Sequence, residues 1–423
     1  MTRVAVVGLG KIGLPLAGLF ARKGARVAGC DVDPEVVAAV NRGESPVGGE
    51  PGLDEAVRAA RDAGNLVATT DTAAAVAESD VVVVVVRVGI DASGRANFRQ
   101  LDAAAAAIGH GLRRGSLVLL ETTVPVGTTR NHFGRRLRGT SGLKEGDFRL
   151  AYSPERVSSG SVFRDLATYP KLVGGVDAAS NEAARGFYRA MVDSDVLVLP
   201  DAETAEFAKL AESVYRDVNI ALANELARAA EQLGVDYAVA AAAGNSQPFS
   251  HLHAPGLGVG GHCIPVYPYF LTQSVDSPLV ALGREINDSM AEYGVERLAQ
   301  AIEGGLSGRT ALVLGLAYRG GVKEAELSSA LLVAEALRRR NARVLVHDPL
   351  FTAAEVRSLG LEPATVPPAG EVEAVVLQAG HPEYAGLDFR SFRGCKAVLD
   401  GRRFFDASAV EALGLRYVAI GKP

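Results

Sequence analysis

The sequence predicts an α/β protein made of two doubly wound domains, joined by a long central helix and a helical middle domain. Three observations carry this reading. From Met1 to about Pro200, short β-branched runs alternate with Ala-rich segments of helical period, the pattern of a parallel sheet covered by helices. A segment opening at Asp201 or Thr204 keeps apolar positions at helical spacing to Leu233, well past the ~8–20 residues usual for a globular helix. A second strand–loop–helix–strand unit then begins at Ala311–Gly315. At 423 residues the chain exceeds what one hydrophobic core serves, so several domains are expected.

Taken in order, the first strand candidates are Val4–Val7, Arg26–Cys30, Leu66–Thr69, Val81–Val86, Leu117–Leu120 and Leu150–Tyr152. Val81–Val86 is apolar throughout, as a strand buried on both faces should be. Either Asp201 or Thr204 can cap the long helix, and Gly234 supplies its stop. A second helix covers Leu279 to about Ile302, with Gly304, Gly305 and Gly308 as punctuation. The later strands are Ala311–Gly315, Arg343–Val346, Ala374–Leu377 and Ala397–Leu399, with a turn at His347-Asp348-Pro349. The expected domains are residues 1–200, 201–307 and 308–423.

Composition narrows the function. The chain is 48% hydrophobic, 22% charged and 6% aromatic, with a net charge of -5 and no long basic run. That gives no electrostatic reason to expect nucleic acid or a membrane surface as partner; a small-molecule substrate fits better. Three cysteines, Cys30, Cys263 and Cys395, do not make a disulfide framework. With an apolar strand already begun at Val4, a leader peptide has no room, and a cytoplasmic location is expected. No apolar run approaches the ~20 residues of a membrane helix. No metal is expected.

Val4–Val7 runs directly into Gly8-Leu9-Gly10-Lys11-Ile12-Gly13 and a helical stretch to Lys23. This strand, glycine turn and helix form a Rossmann-like dinucleotide site. Gly8 permits the turn, Gly10 lets a pyrophosphate approach, Gly13 lets helix and strand pack, and the helix N-terminus stabilises the negative charge. Asp31 ends the second strand about twenty residues on, where a carboxylate accepts from ribose hydroxyls and repels a 2′-phosphate. NAD is therefore expected over NADP. The expected cofactor-binding residues are Gly8, Gly10, Lys11, Ile12, Gly13 and Asp31, with Thr123 and Glu155; Asp33-Pro34 reads as a helix cap.

A different glycine cluster precedes Cys263. Pro255-Gly256-Leu257-Gly258-Val259-Gly260-Gly261-His262-Cys263-Ile264-Pro265 can bring a thiol close to a ligand with little hindrance. That context and the adjacent His262 make Cys263 the candidate nucleophile, while Cys30 and Cys395 read as inert, buried thiols.

Six ordered strings now bear on identity: GLGKIGLPLA from Gly8, ETTVPVGTT from Glu121, SPER from Ser153, KLAESVYRDVNIALANELA from Lys209, PGLGVGGHCIP from Pro255 and GLAYRGGVKE from Gly315. With these the chain resembles the UDP-glucose/GDP-mannose dehydrogenases over essentially its whole length, and most of all their UDP-N-acetylmannosamine 6-dehydrogenase branch. The resemblance implies oxidation of a sugar C6 alcohol to a carboxylate with two NAD molecules. It makes Cys263 the thiol that forms a thiohemiacetal and then a thioester. It makes Lys209 the cation at the oxyanion, Glu155 the residue of thioester hydrolysis and Thr123 the one that orders water. The substrate-binding set it implies is Arg156, Lys209, Asn245, Gly260, Tyr318 and Arg319. It also implies a homodimer, or a higher homo-oligomer, across the long helix.

Read without the resemblance, Lys209 could be a solvated helix residue, Glu155 could pair with Arg156 or a helix end, and Thr123 could be a turn residue before Pro125. Phe207 and Tyr215 read as a core or interface stripe. Several positions depart from the family pattern. Ser213 replaces an asparagine and Tyr267 an aspartate of the catalytic set. Phe249 and Glu326 replace arginines that meet the substrate, and Val86-Arg87-Val88-Gly89 replaces a VPTP string. Three readings stay open: a nucleotide-sugar 6-dehydrogenase, the same thiol and NAD chemistry on another alcohol or aldehyde, and a catalytically silent NAD-binding scaffold.

Overall fold

The computed structural model describes residues 1–423. Their contacts form two compact units: residues 1–212 with 269–275, and residues 213–268 with 276–423. The division therefore falls inside the long helix, Ala202–Gln232.

The first unit holds strands β1 Arg3–Val7, β2 Arg26–Cys30, β3 Leu66–Thr69 and β4 Val81–Val84, then a small hairpin of β5 Gly89–Ile90 and β6 Ala96–Asn97. Next come β7 Leu117–Leu120, β8 Arg149–Tyr152, β9 Lys171–Gly175 and β10 Val196–Val198. Eight of them make one sheet in the order β10-β9-β8-β7-β4-β1-β2-β3. All neighbours are parallel except β8 and β9. The order reverses between β1 and β4, which opens a crevice at the carboxyl ends of these strands, where α/β sheets bind ligands. Val4, Val6, Val81, Val83, Leu117 and Leu119 bury one sheet face beneath the helix Gly13–Arg22, whose Leu14, Leu16 and Phe20 are fully buried. At roughly 25 cal/mol per Å² of apolar surface removed from water, such residues supply most of the favourable free energy of folding.

The expected strand Val81–Val86 ends early, at Val84. The Val85 amide still donates to the Val7 carbonyl at 2.8 Å, but the chain then bends across the end of β1, and the Val85 oxygen lies where a Cβ on Gly8 would fall, at 2.6 Å. Neither β9 nor β10 was foreseen. β9 opens on a lysine and ends on two glycines, and β10 is a three-residue edge strand whose Leu197 and Val198 are exposed, so neither shows the apolar alternation of a strand.

In the second unit, β11 Thr310–Leu314, β12 Arg343–His347, β13 Glu362–Pro363, β14 Ala374–Leu377, β15 Ala397–Asp400 and β16 Arg416–Ala419 form a parallel sheet in the order β13-β12-β11-β14-β15-β16. This is the same doubly wound order. Both long helices appear close to their expected ends, at Ala202–Gln232 and Pro278–Ala301. The Asp201 carboxylate caps the first by accepting from the Thr204 amide at 2.7 Å. Gly234 follows its end at a positive φ of 69°, as a C-terminal stop requires. No helix is long and apolar enough to cross a membrane.

Candidate active site

At the end of β1, Gly8 turns the chain at φ 96°, and a Cβ on Gly13 would collide with the Gly8 oxygen at 1.8 Å. Helix and strand therefore pack at a distance only glycine permits. A Cβ on Gly10, in contrast, would meet no atom within 4 Å: that side of the turn is open to a ligand. Lys11 is exposed and Ile12 half-buried where the helix begins. Asp31 accepts from the Leu9 amide at 2.8 Å and the Asp33 amide at 3.0 Å. Its charge is thereby held beside the glycine turn. The Asp33 side chain accepts from the Glu35 amide and caps the next helix, as expected. The open cradle, the helix N-terminus and the fixed carboxylate fit the pyrophosphate and ribose of NAD.

Near the ends of β7, β8 and β9 lies a buried charged array. Lys171 Nζ sits 2.7 Å from both Glu121 Oε2 and Glu155 Oε2. The Tyr188 hydroxyl donates to the other oxygen of Glu121 at 2.6 Å. Burial pushes the Glu121 carboxyl up to about 7, against the pull of Lys171 and with Glu155 reinforcing the rise. Lys171 is itself only 5% exposed, and a cation so buried persists only beside such partners. Glu155 also accepts from the Arg156 amide at 2.8 Å. The Arg156 guanidinium is taken up by Glu212 at 2.9 Å and by the Pro170 carbonyl. Thr123 is buried. The stretch after it is anchored to the long helix by Glu206, which accepts from Gly127 N at 2.5 Å, Thr129 N at 2.7 Å and Thr129 Oγ1 at 2.6 Å. Lys209 follows on the same helix, half-buried.

The second unit builds the cysteine loop from a polar network that the sequence does not reveal. Arg284, Asn287, Asp217 and Asn224 lie buried on the two long helices. Asn287 Nδ2 donates to Asp217 Oδ1 at 2.8 Å, and Asn224 Nδ2 to Asn287 Oδ1 at 2.9 Å. The remaining oxygen of Asn224 accepts from the Gly256 amide at 2.9 Å and so fixes the start of the loop. Gly258 and Gly261 then take φ of 122° and 92°, which β-carbon-bearing residues resist. A Cβ on Gly260 would strike Tyr318 at 2.7 Å and the Leu327 oxygen at 2.8 Å. The loop is thus pressed against the segment after β11, and the Gly261 amide donates to the Glu326 carbonyl at 3.0 Å. Cys263 emerges half-buried, and its carbonyl accepts from the Tyr267 amide at 2.9 Å. Beside it, His262 hydrogen-bonds to the Cys263 side chain, and its Nδ1 lies 2.6 Å from Glu324 Oε1.

Domain profiles of the UDP-glucose/GDP-mannose dehydrogenase family match this chain in three consecutive parts: the NAD binding domain over residues 2–192, the central domain over 203–289 and the UDP binding domain over 312–407. The chain belongs to the UDP-glucose/GDP-mannose dehydrogenase family. It is an NAD-dependent dehydrogenase of that family, and NAD is its cofactor. A UDP-N-acetyl-D-mannosamine dehydrogenase of Pyrococcus horikoshii is 34% identical over 99% of both chains. An NDP-N-acetyl-D-galactosaminuronic acid dehydrogenase of Ralstonia nicotianae is 32% identical over 97% of both. Among solved structures, a UDP-D-ManNAc dehydrogenase from Pyrococcus horikoshii superposes with a TM-score of 0.90 at 33% identity, covering 100% of this chain and 99% of its own. A UDP-glucose dehydrogenase from Pyrobaculum islandicum gives 0.90 at 31%, covering 100% and 98%.

Against this family background the placement of individual residues is informative. The first unit gathers Gly8, Gly10, Lys11, Ile12, Gly13 and Asp31 around the turn, and Glu155 and Arg156 at the carboxyl end of β8. The second unit gathers Cys263, Gly260, Tyr267 and Tyr318 around the cysteine loop, with Arg319 Nε donating to the Tyr318 hydroxyl at 3.2 Å. Ser213 is buried on the long helix, one turn after Lys209. Asn245 is occupied: its amide donates to the Leu252 carbonyl at 3.0 Å and accepts from the Leu252 amide at 2.7 Å, which braces the approach to the loop. Phe249 is 92% exposed. Sequence reading passed over Glu121, Lys171 and Glu324. A lysine opening an otherwise apolar strand, a carboxylate directly after the apolar run of β7, and a glutamate closing the string from Gly315 were the available signals.

Asp31 also yields a prediction. A close charge contact is typically worth ~1–2 kcal/mol, so kcat/KM with NAD should exceed that with NADP by roughly tenfold or more. Equal values for the two cofactors in steady-state kinetics would remove Asp31 from this role.

Proposed function

We propose that this dehydrogenase oxidises the C6 alcohol of a nucleotide sugar to the carboxylate, using Cys263 as a covalent nucleophile. The observation that carries the reading is Cys263 itself: half-buried, presented by a glycine loop that a buried polar network holds, and bonded to His262. The relatives named above act, by their names, on UDP- or NDP-linked sugars, and the third profile is that of a UDP binding domain.

NAD, when bound at the glycine turn, supplies the hydride acceptor for each oxidation. The protein's own part runs as follows. The alcohol gives up its hydroxyl proton to solvent and a hydride from C6 to the cofactor, and becomes an aldehyde. The Cys263 thiolate adds to the carbonyl carbon, forming a C–S bond, and Lys209 stabilises the oxyanion. Loss of a second hydride leaves a thioester. Water, ordered by Thr123 and activated by Glu155, attacks the acyl carbon; the C–S bond breaks and the thiolate returns. Ser213 and Tyr267 occupy the positions of the family's asparagine and aspartate, and Tyr267, whose hydroxyl can donate or accept a hydrogen bond, serves as a hydrogen-bonding group rather than a carboxylate. Arg156, Asn245, Gly260, Tyr318 and Arg319 shape the substrate side, Asn245 by holding the loop.

The same reading assigns residues 1–200 to NAD, 201–307 to the catalytic loop and dimer contact, and 308–423 to the nucleotide sugar. A homodimer across the long helix is supported by its exposed Phe207, Tyr215 and Leu222. A reducing, cytoplasmic setting would keep Cys263 a thiol.

Incubation with NAD and a panel of nucleotide sugars, with products identified by mass spectrometry, tests the function. A carboxylate formed with two NADH per sugar is expected; NAD binding without turnover on any sugar would leave another alcohol or aldehyde as substrate, or the silent scaffold. Within the panel, UDP-glucose should be a poor substrate. Glu326 stands where the family has an arginine, and Lys323, one candidate beside Arg319 to replace that charge, is taken up by Glu355 at 2.6 Å. Two unit charges ~5 Å apart interact by about 3 kcal/mol at an effective dielectric of ~20, so a diphosphate held in the family manner meets repulsion. Its kcat/KM should fall below ~10⁴ M⁻¹s⁻¹, the low end for enzymes on their own substrates, and Glu326→Arg should raise it. Efficient turnover of UDP-glucose by the unmodified protein would show that Glu326 does not face the diphosphate.

A further inference from the structure

We infer that His262 and Glu324 form, with Cys263, a triad in which His262 takes the thiol proton and Glu324 positions and charges the imidazole, so that Cys263 stands as a thiolate before any substrate arrives. This rests on the reading of Cys263 as the nucleophile and adds the groups that prepare it. His262 touches the reacting sulfur and is catalytic in that sense. Glu324 acts through His262 and is a positioning residue.

The geometry is that of a nucleophile, a base and an orienting carboxylate. Glu324 is buried on the segment after β11, where the Tyr318 amide donates to its carbonyl at 3.0 Å. Its carboxylate reaches His262 Nδ1 at 2.6 Å. A buried carboxylate beside an imidazole favours the doubly protonated ring, and an imidazolium beside a thiol favours the thiolate. Proton transfer breaks the S–H bond, forms an N–H bond and leaves the electron pair on sulfur. The hydrogen bond with Cys263, then that with Glu324, push the His262 pKa up to about 10, against the effect of burial. The ring therefore stays protonated from acid pH until about pH 10.

The other titratable or charged groups on the segments packed around the loop include Tyr318, Arg319, Lys323 and Glu326 after β11, Tyr267 after the loop, and Arg402 beside Gly256; Lys323 is held by Glu355 at 2.6 Å. The triad also fits the departure at Tyr267: the carboxylate missing four residues after Cys263 has a counterpart in Glu324, reached through His262. The other two thiols behave differently, since burial pushes Cys30 up to about 12 and Cys395 up to about 11.

The test is alkylation of the full-length protein by iodoacetamide from pH 5.5 to 9.5, with the modified peptide quantified by mass spectrometry. Sulfur displaces iodide, so the rate follows the thiolate fraction. For the unmodified protein the Cys263 rate should stay nearly flat down to about pH 6. In His262→Asn it should follow an ordinary thiol of pKa ~8.5 and fall at least ~30-fold at pH 6. In Glu324→Gln the midpoint should move upward, with a loss of roughly tenfold at pH 6. Should His262→Asn fail to fold by circular dichroism, Glu324→Gln carries the test. Identical pH profiles in the unmodified protein and the folded variants overturn the triad. No sugar enters this experiment, so failure of the substrate panel leaves the triad standing, and a flat comparison overturns it even in an active dehydrogenase.

Discussion

Cys263→Ala should end formation of the carboxylate while the protein stays folded and binds NAD. The local backbone is set by groups other than the thiol: Gly258 and Gly261 at positive φ, the Asn224 hydrogen bond to Gly256, and Gly260 pressed on Tyr318. Removing the sulfur leaves each of these in place. The loss in kcat for the acid should be on the order of 10⁴-fold or more, given ~10⁶ for removal of a covalent nucleophile in a well-studied hydrolase. Lys209→Ala should cost less, about 10²–10³-fold, as removal of one oxyanion-stabilising group does. The measurement is NADH release with product mass analysis. Near-normal acid production by Cys263→Ala would end the covalent mechanism. Trace aldehyde without acid is consistent with it, because the first oxidation precedes the thioester.

The second large effect is on stability. Lys171→Met should destabilise the protein by about 3–5 kcal/mol, the usual cost of removing one partner from a buried ion pair, against a typical total of 5–15 kcal/mol. Two carboxylates, Glu121 and Glu155, would be left facing one another in a site where Lys171 was 2.7 Å from each. The effect has a pH signature. Glu121 already titrates near 7, above the ordinary 4.5, so its folded form holds the proton more tightly than the unfolded chain. For such a group stability is greatest below about pH 4.5 and declines as pH rises through the folded value. Without Lys171 the Glu121 carboxyl rises further, so the variant should lie closest to the unmodified protein near pH 5 and farthest from it above pH 7. Melting temperatures across that range test this. A uniform, pH-independent decrease would show that the lysine acts by packing alone. Glu121→Gln combined with Lys171→Met should recover part of the loss, because it removes one buried charge.

Much of the fold was legible because its signals are local. The glycine turn after β1, the apolar runs of β2, β3, β7 and β14, the Asp201 cap and the Gly234 stop each depend on residues within a few positions of one another. The candidate dinucleotide residues stood out for the same reason: strand, turn, helix and Asp31 lie within one βαβ unit. Cys263 stood out as the candidate nucleophile because glycines crowd ahead of it in the chain.

What the sequence by itself determined, then, was the doubly wound plan with most of its strands in order, the glycine turn after β1 and the glycine loop before Cys263. The tertiary structure decided which distant groups meet. Lys171 lies 50 residues from Glu121 and 16 from Glu155, and His262 lies 62 from Glu324. Asn224 reaches Gly256 and Asn287 across separations of 32 and 63. Periodicity cannot report such pairs, because nothing in a strand's alternation or a helix's stripe states which neighbour the sheet order will place beside it. Burial then changes their chemistry. Water screens Glu121, Lys171, His262 and Glu324 in an unfolded chain, whereas the folded interior strengthens each attraction and raises the cost of each uncompensated charge. That shift turns residues with ordinary pKa values into a buried carboxyl of about 7 and an imidazole of about 10.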